Sequence, residues 1–118
     1  MRTVLIAMAL SLVVSSVAVA AVQGDAAAGK GKAAACAACH GPDGNSGAPT
    51  FPKLAGQSAR YLHKQLHEIN RKDKKGQVIR AVPAMMGLSE NLSDQDIADI
   101  AAFLRKAWLS LRSNSSMT

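Results

Sequence analysis

Aromatic residues are nearly missing from this 118-residue chain, which has one Trp, one Tyr and two Phe. A domain of this length buries proportionately little surface. Without large rings it has few bulky groups from which to build a centre, and a bound planar group would supply one. Strand patterns are missing too, which removes the βαβ setting that a thioredoxin-like thiol pair requires. There is no internal repeat. No apolar run reaches the ~20 residues that span a bilayer. The length leaves room for one domain.

Acidic residues are scarce as well: 14 Lys and Arg stand against 8 Asp and Glu, a formal charge of +6. Such a balance suits an acidic docking partner or an anionic surface. Nucleic acid is the other usual partner of basic chains, and the first residues argue against it. Arg2 is a short positive region, Val4 to Val14 is apolar except for Ser11, and Ala18-Val19-Ala20 is a small-residue cleavage site. This pattern is that of a secretory leader. Residues 1–20 are expected to be removed, with cleavage after Ala21 as a near alternative and an uncleaved anchor as the rival. Without Arg2 the charge is +5. Export to the periplasm leaves no place for a nucleic-acid partner, and no stable membrane span is expected once the leader is gone.

What is present is concentrated in Cys36-Ala37-Ala38-Cys39-His40. C-x-x-C-H is the attachment signature of a c-type haem. Two thiols one helical turn apart can each add to a vinyl group of one porphyrin. The histidine after the second thiol is then held under the iron as an axial ligand. A zinc set of Cys36, Cys39, His63 and His67 is the rival, but its middle gap is long and it leaves His40 unexplained. A disulfide needs neither the spacing nor the histidine. Only one such motif occurs.

Around this motif the chain reads as helices and loops. Asp25 can cap a helix from Ala26 to about Ala38. Gly29 and Gly31 inside it each cost about 1 kcal/mol against Ala, and close approach by another element is one reason to keep such a glycine. Gly41 to Pro52 carries turn chemistry at Pro42-Asp43-Gly44-Asn45. Ser58 can cap a second helix, Ala59 to about Lys72, with Leu62, Leu66 and Ile69 on one face. His63 and His67 are read as two solvated side chains. The run from Arg71 to Gly76 is read as a solvated basic loop, or as a docking rim. Ser93-Asp94-Gln95-Asp96 is capping-box-like and opens a last helix with Ile97, Ile100, Ala101, Leu104 and Trp108 as its apolar stripe. Ser113 to Thr118 reads as a frayed tail.

A six-coordinate iron needs a second ligand, and Pro83-Ala84-Met85-Met86-Gly87 is the best candidate. It is a non-helical stretch between helices, and a thioether sulfur raises the potential of a haem. His63 or His67 is the fallback. No distal acid/base set supports a peroxidase or a gas sensor.

Together these segments resemble a class I c-type cytochrome, and within that class one half of the two-haem periplasmic cytochromes of the c-four type. The resemblance rests on Gly24-Asp25 with Gly29, on Cys-Ala-Ala-Cys-His-Gly, on Asp43-Gly44-Asn45-Ser46 and on Phe51-Pro52-Lys53-Leu54-Ala55-Gly56-Gln57. It continues through Tyr61-Leu62, Gln65-Leu66, Met85-Met86-Gly87 and Leu92-Ser93-Asp94-Gln95-Asp96-Ile97. It implies an all-α fold, three main helices and loops around one covalently bound haem c, over residues 21–118 with a core of about 24–110. It also implies attachment in the exported compartment, thioethers at Cys36 and Cys39, and iron ligation by His40 and Met85, with Met86 as the alternative. The Pro52 carbonyl would orient the imidazole, Leu54 would pack on the haem, and Gly29 would let the first helix cross the last near Phe103. The expected role is one-electron transfer between periplasmic redox partners, not catalysis. Candidate partners are a cytochrome bc complex, a terminal oxidase or a periplasmic dehydrogenase, of which the chain could also be the haem subunit.

Overall fold

The computed structural model describes residues 22–115. The first helix, α1 (Ala26–Lys32), begins where Asp25 accepts hydrogen bonds from the Ala27 and Ala28 amides at 2.8 and 3.2 Å. It tightens into a 3₁₀ turn, Ala33–Cys36, and continues as the single turn α2 (Ala37–His40). Gly41 ends it with a φ of 81°. The expected single helix is therefore one continuous right-handed segment whose middle is overwound. Expected to reach about Lys72, the second helix, α3 (Ala59–Glu68), starts at the Ser58 cap and stops sooner. The stop is tertiary. Asn70 takes a left-handed φ of 57°, and its side-chain amide exchanges two hydrogen bonds with the Val82 backbone, at 3.0 and 2.8 Å. The last helix, α4 (Asp94–Ser115), has a complete capping box: Ser93 Oγ accepts from the Asp96 amide and Asp96 accepts from the Ser93 amide. It runs through Ser113 to Ser115, so that part of the expected frayed tail is helical. The leader lies outside the described residues.

Among the described residues there is no strand. Only isolated bridges, Ile69 to Arg80 and Lys72 to Val78, tie the segment after α3 to itself. No helix among them is long and apolar enough to cross a membrane. Ala33, Leu62, Leu66, Ile97, Ile100, Ala101 and Leu104 form the core. The stripe expected on α4 supplies most of it, but Trp108 is 40% exposed. Its ring covers Gly56 and carries the Arg112 guanidinium 4.7 Å from its centroid.

The chain approaches α4 closely at two missing side chains, at Gly24, where a Cβ would collide with the Ala98 carbonyl, and at Gly29 within α1. A Cβ on Gly29 would collide with the Asp99 carbonyl and with Phe103 Cβ. Gly31 faces open space, and nothing in the structure explains it. Below the crossing lies Asp99, which is buried. Its carboxylate accepts from the Asp25 amide at 2.8 Å, from Lys32 Nζ at 2.6 Å and from Gln95 Nε2 at 2.8 Å. The Asp25 amide first, then Lys32 and Gln95, bring its pKa down to about 2. Lys32 also pairs with Asp96 at 2.8 Å, and hydrogen bonds to the two carboxylates push its pKa up.

Candidate haem site

A cavity of about 200 Å³ lies beside the core. The end of the first helical segment, the loop before α3, α3 itself, the turn Pro83–Met85 and α4 all bring residues to it. Its walls are mainly Leu54, Leu62, Leu66, Ile69, Ile100 and Leu104.

His40 reaches this cavity as the last residue of α2. It is 7% exposed, and Phe51 packs edge-on to its ring at 6.2 Å. Its Nδ1 lies 2.9 Å from the Pro52 carbonyl oxygen. A carbonyl can only accept, so Nδ1 carries the proton and donates. In the neutral imidazole the other nitrogen, Nε2, then has its lone pair available to a metal. The loop that presents Pro52 is held by backbone bonds to Gly44, whose carbonyl accepts from the Leu54 and Ala55 amides at 2.8 and 3.1 Å. Gly44 needs its positive φ of 80°, and a side chain there would strike Leu104. Asp43 stabilises the turn by accepting from the Asn45 amide at 2.9 Å, and that bond, followed by one from the Asn45 side chain, lowers its pKa.

Cys36 is half-buried and lines the cavity, and burial pushes its thiol pKa up. Cys39 is exposed and is not among the lining residues. The two methionines diverge: Met85 is partly buried against the core and lines the cavity, whereas Met86 is 68% exposed. The turn that carries them is anchored from below. Buried Ser89 donates to the Ile69 carbonyl at 3.0 Å, and the Arg71 guanidinium donates to the carbonyls of Leu92 and Ser89. Gln57, Tyr61 and Gln65 also line the cavity. The four-residue spacing of Tyr61 and Gln65, which puts both on one side of α3, was the signal in the sequence, while Gln57 precedes the helix.

The alternative donor set is not assembled. Among the described residues no three His, Cys, Asp or Glu side chains are grouped to hold a metal ion. His63 and His67 stack on one another at 6.1 Å, His67 Nε2 lies 3.6 Å from Asp94, and His63 opens on a different groove. The residues at the cavity suit a porphyrin better. Cys36 and His40 line a space with aliphatic walls, Cys39 stands one turn from Cys36, and the imidazole keeps a basic nitrogen free.

Comparison with known proteins agrees with that chemistry. The family model for cytochrome c matches residues 26–108. Cytochrome c4 of Pseudomonas aeruginosa is 55% identical over 111 residues, which cover 94% of this chain and 51% of that protein. Cytochrome c-554(548) of Halomonas halodenitrificans is 46% identical over 80 residues, 68% of this chain and 93% of that protein. The crystal structure of reduced recombinant cytochrome c4 from Pseudomonas stutzeri superposes with a TM-score of 0.61 at 53% identity, covering 70% of this chain and 45% of that one. The chain spans about half the length of the cytochromes c4 that it matches.

Proposed function

The chain belongs to the cytochrome c family, and on that premise we propose that it is a periplasmic one-electron carrier with a single covalently bound haem. In this reading Cys36 and Cys39 would hold the haem through two thioethers, and His40 and Met85 would supply a nitrogen and a sulfur ligand to its iron. The observation that carries it is the hydrogen bond from His40 Nδ1 to the Pro52 carbonyl, which leaves Nε2 basic in the cavity that Met85 also lines.

When bound, the haem supplies the ferric–ferrous couple. The chain does the rest. The Pro52 carbonyl holds the imidazole ring against rotation and makes it a stronger donor. The 3₁₀ turn at Pro83–Met85, tied through Ser89 and Arg71 to the end of α3, holds the Met85 thioether in the cavity wall. A soft thioether favours ferrous iron and raises the potential. The aliphatic walls keep water from the ligand positions, and rigid ligands on both sides keep reorganisation small.

Val78, Ile79, Met86 and Leu88 are 44–68% exposed, and Lys72, Lys74, Lys75 and Arg80 are exposed in the neighbouring sequence. Exposed apolar side chains with cations close by in sequence suit a redox partner with an acidic rim. The same patch gives the second reading, a haem subunit held by a periplasmic dehydrogenase, which co-purification would reveal.

The test is the visible spectrum of the protein produced with haem-attachment machinery, recorded oxidised, reduced, and reduced under carbon monoxide. A c-type spectrum with a weak far-red sulfur-to-iron band and no response to carbon monoxide is expected. Rapid carbon monoxide binding would mean an open iron position, and a colourless protein would end the haem reading.

A further inference from the structure

A second groove, of about 770 Å³, lies on another flank of α4. It shares no lining residue with the haem cavity: Ile100 and Leu104 of α4 line the cavity, whereas Ala98, Ala101 and Ala102 form the floor of the groove. One wall is the stretch Val22 to Gly24. It is pinned in place, because the Gln23 carbonyl accepts from Gln95 Nε2 at 2.8 Å and Gly24 lies against the Ala98 carbonyl with no room for a Cβ. The other wall is the first half of α3, with Ala59, Arg60 and His63. The lining residues of α4 run from Asp94 to Leu109, about 22 Å at 1.5 Å per residue.

Charge is divided along this groove. α3 runs antiparallel to α4, with His67 beside Asp94 and Gly56 beside Trp108. Arg60, near the start of α3, therefore stands toward the same end as Arg105 and Lys106. All three are exposed, and among the described residues none has a hydrogen-bond or ion-pair partner. Asp94, the lining carboxylate, lies at the far end, where His67 Nε2 is 3.6 Å away. Between the ends the alanine floor bears no polar side chain, and Val22 and Leu109 stand exposed beside it.

An occupant must match both features. Apolar side chains lose nothing by lying on alanines, whereas a polar group there would give up its water for no partner. Carboxylates at the cationic end would gain charge-assisted hydrogen bonds, in bidentate form at an arginine. A second copy of this chain does not meet these terms, since an isologous contact sets the same patch, cations included, against itself.

We propose that the groove seats an acidic amphipathic segment of a partner protein, with its carboxylates on Arg60, Arg105 and Lys106 and its apolar face on the alanine floor. A partner held there leaves the haem cavity uncovered. The groove is then an anchoring surface, separate from the one through which an electron passes. It keeps the carrier beside a redox assembly while the haem side meets donor and acceptor in turn. The anchoring site stands apart from the haem reading, because no residue of the cavity builds it.

The test uses the haem-loaded protein at about 0.15 M ionic strength, where exposed charges more than ~8 Å apart are largely screened. The probe is a fluorescein-labelled helical peptide of about 14 residues, with Glu on one face and Leu and Ala on the other. A second peptide has the same composition in scrambled order. Fluorescence anisotropy should show saturable binding of the amphipathic peptide and much weaker binding of the scrambled one. Arg105→Glu/Lys106→Glu should weaken binding about tenfold, the size of several exposed ion pairs. Leu109→Ser should weaken it severalfold, and Lys74→Glu/Lys75→Glu, outside the groove, should leave it within about twofold of the wild type. Ascorbate should reduce the haem equally fast with the peptide bound. A wild type that does not bind, equal binding of the scrambled peptide, or equal losses in the two double variants would overturn the proposal. So would slowed reduction, which would put the peptide over the cavity. Phosphatidylglycerol vesicles that need Arg105 and Lys106 while the peptide does not bind would assign the groove to a lipid surface instead. A wild-type dimer that Leu109→Ser dissociates would assign it to a second copy. If the charge reversal does not fold, Leu109→Ser and Arg60→Gln decide the question. A wild type without haem would overturn the preceding reading, and the anisotropy alone would then decide this one.

Discussion

The two sides of the core are built on opposite plans. On one side α1 crosses α4, and the chain satisfies itself: Gly29 admits the backbone of α4, and Asp99 receives three donors from Asp25, Lys32 and Gln95. On the other side the chain stops short of closure. Leu62, Leu66, Ile100 and Leu104 face a cavity, and His40 turns one ring nitrogen to a carbonyl while leaving the other free. The first side is a helix packing that needs nothing from outside. The second turns aliphatic walls, one thiol, one imidazole and one thioether toward a cavity, the donors and surfaces that a porphyrin uses.

Four experiments separate the two sides. The largest effect is expected from Cys36→Ser/Cys39→Ser, which removes covalent attachment. Visible absorbance of the purified protein should fall to near nothing. Hydrogen exchange should quicken across the loops 41–57 and 70–93 more than in α1 and α4. Uniform protection would show that the loop side does not depend on the haem.

Gly29→Val strikes the other side. Its side chain has no room against the Asp99 carbonyl and Phe103, so the cost should reach about 3 kcal/mol. Denaturant unfolding of the haem-loaded protein measures it, and a loss below about 0.5 kcal/mol would mean that the helices can part without penalty.

The methionines give a smaller, local contrast. Met85→Ala should abolish the far-red band, admit carbon monoxide and lower the potential, with the fold retained. Met86→Ala should leave the spectrum unchanged and alter stability by no more than about 0.5 kcal/mol, as an exposed side chain does. The reverse result would move the sulfur ligand to Met86.

The least effect at neutral pH belongs to the titration of Asp99. Its pKa is held at about 2 against an ordinary 3.8. A depressed acid contributes stability that is whole above its unfolded pKa and is lost as pH falls through the folded one. Wild-type stability should therefore decline between about pH 4 and about pH 2, and Asp99→Asn should flatten that part of the curve. An unchanged acid limb would show that the clamp carries no linkage.

Much of the fold was legible because its signals are local. The Asp25 and Ser58 caps and the Ser93–Asp96 box each act within three residues. The apolar spacing of α3 and α4 gave their buried faces. Trp108 shows the limit of such spacing, since a wheel assigns a direction but not whether anything lies there. The end of α3 was misread by four residues because the apolar period continues past it. What stops the helix is Asn70 clamping Val82, a contact 12 residues away that no local pattern announces. Gln57, Tyr61 and Gln65 line the cavity together with Lys53 and Leu54 of the preceding loop, a juxtaposition that the local pattern shows only for the two on α3.

By itself the sequence determined the chemistry at the C-x-x-C-H motif and the helical class. These follow from covalent spacing and helical period, which are properties of neighbouring residues; which of Gly29 and Gly31 lies against another element follows from the packing. The tertiary structure supplied the contacts themselves: the Pro52 carbonyl accepts a hydrogen bond from His40, Met85 and not Met86 lines the cavity, and Asp99 joins the two ends of the chain. Pro52 stands 12 residues from His40, and Asp25 stands 74 from Asp99. Such distant groups meet only after the helices have packed, and adjacent methionines acquire different surroundings only when the turn that bears them is pinned to the end of α3.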